Sequence, residues 1–300
     1  MENDKRETFK VETNLQNSMD SYNQLCKLAY TIQITDADKV TLELKNVNFI
    51  ASNLFAVLGC ILNDFYERHK EIKAIQLLGI NSRIKDVIQK NGFCRHLGLE
   101  RIPDTYNTVI PYKIFDVNKI DEYERYLTIS LFERKDLPQM SVEASNNFRD
   151  SLLEIFKNVK DHTSSKKIFT CGQYFPKSNF LYFTIVDAGE TIPYNVHEYH
   201  KKYNILLPEN SVKWATLRGN TTRADNTPRG IGLSLIKEFV LLNQGFLYII
   251  SGTEVFEITQ KGERCNILEY PFQGTVVTIG FNLSDKAVYF MDTEYSPIQF

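Results

Sequence analysis

The chain has 300 residues, 43% of them hydrophobic and 24% charged, with 14 Gly and 9 Pro, the make-up of an ordinary folded chain long enough for about two domains. Thirty-five basic residues stand against 37 acidic ones, a formal net charge of −2, and both parts are balanced: 15 against 15 up to residue 118 and 20 against 22 after it. That balance argues against a protein that holds nucleic acid mainly through its phosphates.

In chain order, residues 1–20 are polar without hydrophobic periodicity and are expected to form a flexible tail. Lys39 to Val47 alternates apolar and polar residues as a half-buried strand does, and Ser52 to His69 repeats Leu54, Phe55, Val57, Leu58, Ile61, Leu62 and Phe65 at helical spacing. A short apolar strand at Ala74–Ile80 and a second amphipathic helix at Ser82–Leu97 complete a small α/β unit, which Pro103 and Pro111 punctuate. Helices are expected over 120–137 and from Ser141 to His162, then two strands at Lys167–Tyr174 and Phe180–Asp187. Residues 190–229 are polar and irregular, as a functional lid or an insertion would be. A helix at Leu233–Leu242 and strands at Phe246–Ser251, Val255–Gln260 and Gly274–Phe281 close the second part, which reads as α+β.

Five scattered cysteines, Cys26, Cys60, Cys94, Cys171 and Cys265, form no C-x-x-C pair. They argue against a disulfide framework or a zinc site and suit a reducing cytoplasm. No stretch reaches the length of a membrane span, and Met1–Lys10 is charged rather than signal-like. The expected setting is cytoplasmic, away from membranes.

Three features in the second part carry chemistry. Glu154, Asn158 and His162 recur every fourth residue, so they fall within about 80° on one helical face. The carboxylate can take a proton and the carboxamide oxygen can coordinate Mg²⁺ beside phosphates; the same triplet also reads as a solvated helix face. Asp187 ends an apolar strand and is followed by Gly189, which suits a carboxylate that accepts a hydrogen bond from an exocyclic amine, or simply a strand-to-turn aspartate. Arg229-Gly230-Ile231-Gly232 opens a helix, and glycines there expose backbone N–H groups able to cradle phosphate. Gly-x-Gly alone is a weak signal, and neither the dinucleotide fingerprint nor a Walker-type loop is present.

In order, E-x-x-x-N-x-x-x-H, D-x-G, a long polar segment, G-x-G and a final Gly274-Thr275 strand resemble the GHKL (Bergerat) ATP-binding fold, a two-layer α/β sandwich. Gyrase-type and mismatch-repair ATPases, histidine kinases and anti-sigma-factor serine kinases share that fold. The resemblance spans roughly residues 120–284. It implies Glu154 as general base and Asn158 as Mg²⁺ ligand. It further implies that Asp187 reads adenine beside Gly189 and Thr275, and that Gly230 and Gly232 approach the phosphates. His162 belongs to the same helix motif, and Leu217–Arg223 resembles the flexible lid element, with Arg223 toward the terminal phosphate. Two positions depart from the pattern: Thr191 stands where the first glycine box usually has its last Gly, and Asp161 follows Lys160 where histidine kinases often carry Lys or Arg. No histidine lies in an H-E/D-x-x-x-P context on a preceding helix, so the style is closest to the anti-sigma-factor serine kinases.

Residues 25–115 resemble a STAS domain, with Ser52 at the acceptor position but Ala51 and Leu54 in place of the usual Asp and Gly; Ser52 also reads as a helix N-cap. The resulting expectation is a tail (1–20), a STAS-like α/β interaction domain (21–118), a GHKL ATP-binding domain (119–284) and a C-terminal tail (285–300). Such a chain would be an ATP- and Mg²⁺-binding signalling regulator that phosphorylates serine or threonine on a protein partner or hydrolyses ATP. The alternative is a non-catalytic, nucleotide-switched interaction module. A homodimer is left open.

Overall fold

A computed structural model describes residues 5–37, 39–68, 74–222 and 230–294 of the chain. The first unit alternates strand and helix: β1 (Arg6–Lys10), α1 (Met19–Ile34), β2 (Lys39–Glu43), α2 (Phe55–Arg68), β3 (Ala74–Leu78) and α3 (Ser82–Asn91). The strands pair in parallel in the order β1-β2-β3. Local chemistry sets the helix starts: the Ser18 hydroxyl accepts from Ser21 N, and the Asn81 side chain accepts from Ile84 N at 3.0 Å. Helix α2 is apolar nearly all round, as a helix covered on both sides must be; Phe55, Ala56, Val57, Leu58, Cys60, Ile61, Leu62 and Phe65 are all buried.

The second unit contains β4 (Val109–Asp116), α4 (Ile120–Leu127), β5 (Gln139–Met140), α5 (Val142–His162), β6 (Lys167–Phe175), β7 (Phe180–Asp187), α6 (Ile192–Lys202), α7 (Ser211–Ala215), α8 (Gly232–Leu242), β8 (Phe246–Thr259), β9 (Gly262–Asn282) and β10 (Val288–Tyr289). An antiparallel sheet of order β4-β6-β7-β9-β8 forms its centre, making the whole a mixed α/β fold. Period-two alternation divides the sheet faces. Leu181, Phe183, Ile185, Leu247, Ile249, Val277 and Ile279 pack with Leu152, Phe156, Ile236 and Val240 of α5 and α8. The other face joins a cluster running from Val40 and Leu42 through α1 and α2 to Phe169, Cys171, Val186, Tyr248 and Val276. Among the described residues no helix is long and apolar enough to cross a membrane.

Several expectations need correction. Residues 1–20 are not simply a tail: Phe9 and Val11 are buried, and β1 pairs along its whole length with β2. In the region read as an irregular lid, Thr191 and Asn210 cap two helices, α6 and α7, with side-chain oxygens that accept from Tyr194 N and Lys213 N. The strands expected at 246–251 and 255–260 are one strand with a register shift at Ser251–Gly252. The helix expected over 120–137 ends at Leu127 in a wider turn, Thr128–Phe132. The 285–300 tail begins with β10, which pairs with β5. Strand β4, although early in the chain, hydrogen-bonds to β6 in the second sheet.

Ser52 is fully buried where the two units meet, so in this fold no kinase reaches it. Its hydroxyl accepts from Asn91 Nδ2 at 3.1 Å, its N–H donates to Gln173 Oε1 at 2.7 Å, and it makes no N-cap bond. Beside it, Asn53 Nδ2 donates to Thr184 Oγ1 (2.9 Å), Thr184 bonds Thr278 (2.8 Å), and Thr278 bonds the Tyr22 hydroxyl (2.8 Å). Asn53, Thr184 and Thr278 are all fully buried, and deleting one member strands its neighbours without water. Thr278→Val is therefore expected to lower stability by about 1–3 kcal/mol in urea unfolding. Tyr22→Phe made on that background should cost less than it does in wild type, because the hydroxyl has already lost its partner.

Candidate functional site

An open cleft with a cavity volume of about 130 Å³ lies between α5, the end of β7, α6–α7 and the start of α8. Glu154 and Asn158 of α5, Asp187 at the end of β7, Gly230 before α8 and Thr275 of β9 all line it. These residues come from four separate stretches of chain, and the antiparallel pairing that sets Asp187 opposite Thr275 joins two of them.

Helix α5 presents two faces. Leu152, Ile155, Phe156 and Val159 pack into the core while Glu154 and Asn158, one turn apart, stay half-exposed at the cleft. The Glu154 carboxylate is engaged: Oε1 accepts from Gly230 N at 3.1 Å and Oε2 from Gly232 N at 2.8 Å. The Asn158 carboxamide makes no hydrogen bond to a described residue. His162 ends α5 and its side chain lies outside the described residues, as does the whole of Arg223.

The glycines are required by close approach. Gly230 has φ +76°, and a Cβ there would meet Asn220 O at 2.3 Å; at Gly232 it would sit 2.8 Å from Glu154 Oε2. A Cβ on Gly189 would come within 2.2 Å of Thr163 Cβ, so that glycine lets the turn after β7 pack on the residue following α5. Neither Gly189 nor Gly232 lines the cleft surface; each supports a residue that does.

Asp187 is 4% exposed. Its Oδ1 accepts from Gly189 N at 2.8 Å. Behind it, Ser251 Oγ donates to Gly274 O (2.8 Å) and accepts from Ile192 N (2.8 Å), which leaves the Thr275 hydroxyl to donate to Ser251 at 3.0 Å. Burial pushes the Asp187 carboxyl up to about 7; the Gly189 and Thr275 backbone N–H groups oppose that shift and the nearby Glu190 charge adds to it. Around this buried acid at a strand end the cleft wall is apolar, with Ile155, Val159, Val196 and Val277.

Sequence reasoning missed part of the wall. Trp214, the only tryptophan, lines the cleft, together with Asn195, Val196 and Ile192 of α6 and with Thr163 and Glu190. Trp214 packs edge-on to His200 at 5.2 Å between ring centres. Pro193 at the first turn of α6 and the capping residues Thr191 and Asn210 were the available signals for these helices. Among the described residues no group of three or more His, Cys, Asp or Glu side chains is arranged to hold a metal ion. A cation beside Asn158 would therefore need oxygens from a ligand, as Mg²⁺ takes them from phosphates.

The raised Asp187 carboxyl has a stability consequence. A group that holds its proton more tightly when folded favours the folded state at low pH, and that advantage fades as pH rises from about 4, the unfolded value, to about 7. Relative to Asp187→Asn, wild type should lose stability through this window with a slope approaching 1.4 kcal/mol per pH unit and level off above it; urea melts at pH 5, 6, 7 and 8 measure it. No protein-family model matches the chain, and a comparison with curated proteins found no match.

Proposed function

We propose that the chain is a cytoplasmic ATP-binding signalling regulator, a GHKL-type nucleotide pocket joined to a STAS-like interaction unit. The observation that carries this reading is the convergence of Glu154, Asn158, Asp187, Gly230 and Thr275 on one cleft. In the sequence these residues belong to four motifs spread over more than a hundred positions. Unpaired cysteines, four of them buried, agree with a reducing compartment.

In this reading Asp187 accepts a hydrogen bond from the exocyclic amine of adenine, and Ile155, Val159, Val196 and Val277 exclude water from the base. The amides of Gly230 and Gly232 donate to phosphate, and the Asn158 carboxamide oxygen is the one protein ligand offered to Mg²⁺. Mg²⁺-ATP supplies a transferable phosphoryl group with its charge neutralised. Glu154 accepts a proton from the hydroxyl of a partner's serine or threonine, or from water.

A second reading, an interaction module that binds nucleotide without turnover, is favoured by one specific feature. Both Glu154 oxygens accept from backbone amides, which stabilise the ionised carboxylate and weaken it as a base.

Purified protein with Mg²⁺ and γ-labelled ATP separates the readings, with bound nucleotide followed by Trp214 fluorescence and phosphate release by chromatography. Asp187→Asn should weaken ATP binding at least about tenfold, the scale of one lost buried hydrogen bond to a charged group. Glu154→Ala should abolish release or transfer of phosphate while binding persists. Binding without turnover in wild type selects the interaction module, and absence of adenine-nucleotide binding rejects both.

A further inference from the structure

Helix α8 begins at Gly232, and neither its N-cap residue Ile231 nor any side chain of its own first turn caps it. A carboxylate from another helix meets this start: Glu154 of α5 places one oxygen on Gly230 N, just before the N-cap, and the other on Gly232 N, the first amide of α8. Two backbone N–H groups that bind two oxygens of one anion form a receptor for an oxyanion, and the positive end of the helix dipole reinforces it. The fit is close, since a side chain at residue 232 would collide with the carboxylate itself.

The receptor meets the cleft at Gly230. Gly230 and Glu154 line the cleft together with Thr221, Thr222 and Asn158, so an anion there faces the Gly230 amide, and the Gly232 amide lies behind the carboxylate that bonds it. Gly219 N donates to Gly230 O at 3.1 Å, and Asn220 Nδ2 donates to Trp214 O at 2.9 Å. Gly230 is thereby linked through the 219–220 backbone to the aromatic wall.

We propose that Glu154 is the resident anion of the Gly230–Gly232 amides, and that a phosphate group binds there only by displacing its carboxylate. Resting on the nucleotide reading above, this makes the contact autoinhibitory: phosphate binding releases Glu154, and a ligand without phosphate leaves it in place. The side chain expected to act as base is held on these amides until the phosphate that the activated hydroxyl would attack has arrived.

Calorimetric titration of the full chain with adenosine, ADP and inorganic pyrophosphate tests the exchange in wild type, Glu154→Ala, Glu154→Gln and, as an electrostatic control, Glu190→Gln, which neutralises another cleft carboxylate. Removal of the resident carboxylate should raise the affinity for ADP and pyrophosphate on the order of tenfold, with adenosine unchanged and Glu154→Gln intermediate. In wild type, the Gly230 and Gly232 amide resonances should shift with pyrophosphate but not with adenosine. Unchanged or weaker phosphate affinity in both Glu154 variants overturns the proposal, as does an equal gain in Glu190→Gln, which would mark general charge repulsion. Pyrophosphate binding that favours the Glu154 variants, with no adenosine or ADP binding anywhere, would sink the adenine reading and leave the exchange standing. If pyrophosphate binds to no variant, the proposal fails. Should Glu154→Ala not fold, Glu154→Gln and the wild-type amide shifts still decide it.

Discussion

Everything in this fold depends on one sheet being covered on both faces. Strands β6, β7 and β9 send alternate residues to α5 and α8 on one side and to α1 and α2 on the other. The two sides differ chemically. The α5–α8 side is dominated by Leu, Ile, Val and Phe, whereas the α1–α2 side carries Thr184, Thr278 and Cys171 amid its apolar residues. Buried hydroxyls need partners, and Tyr22, Ser52 and Asn53 reach across from the first unit to supply them. The polar bonds specify how the units seat, and the surrounding apolar contact supplies most of the driving force.

Because that sheet is held from both sides, its edge of chain ends can carry a site. Asp187 leaves β7 and Thr275 enters β9 at the same level, while α5 runs across the opposite side of the cleft with Glu154 and Asn158 turned toward it. Close approach is then achieved by glycines at the junctions, where even a methyl group would push α8 from α5 or the β7 turn from Thr163. The cleft combines a buried acid at one end with amide donors at the other. Between them lies a largely apolar wall, the asymmetry on which the proposed nucleotide reading rests.

How far each feature was legible from sequence has a physical explanation. Helix α5 was visible because its apolar stripe and its polar triplet both follow the helical period. Strand β7 showed as an apolar run that stops at an aspartate. Strand β1 was hidden because it is short and only Phe9 within it is buried, its support coming from β2 more than thirty residues away. Helices α6 and α7 were hidden by tyrosines, lysines and histidines that blur periodicity, although their caps and Pro193 follow ordinary rules. Ser52 misled only as an N-cap, since its partners include Gln173 and Cys171, about 120 positions away, which no local pattern shows.

The sequence by itself determined the mixed α/β character, the helix that carries Glu154 and Asn158, the strand end at Asp187 and the glycines before α8, because periodicity, chain breaks and missing side chains are local properties. It did not determine that the first unit lies on the back of the second sheet, that Trp214 walls the cleft, or that Glu154 spends its charge on the Gly230 and Gly232 amides. The hydrogen bonds among those relations join residues 76 to 256 positions apart, and only tertiary packing brings such partners within range.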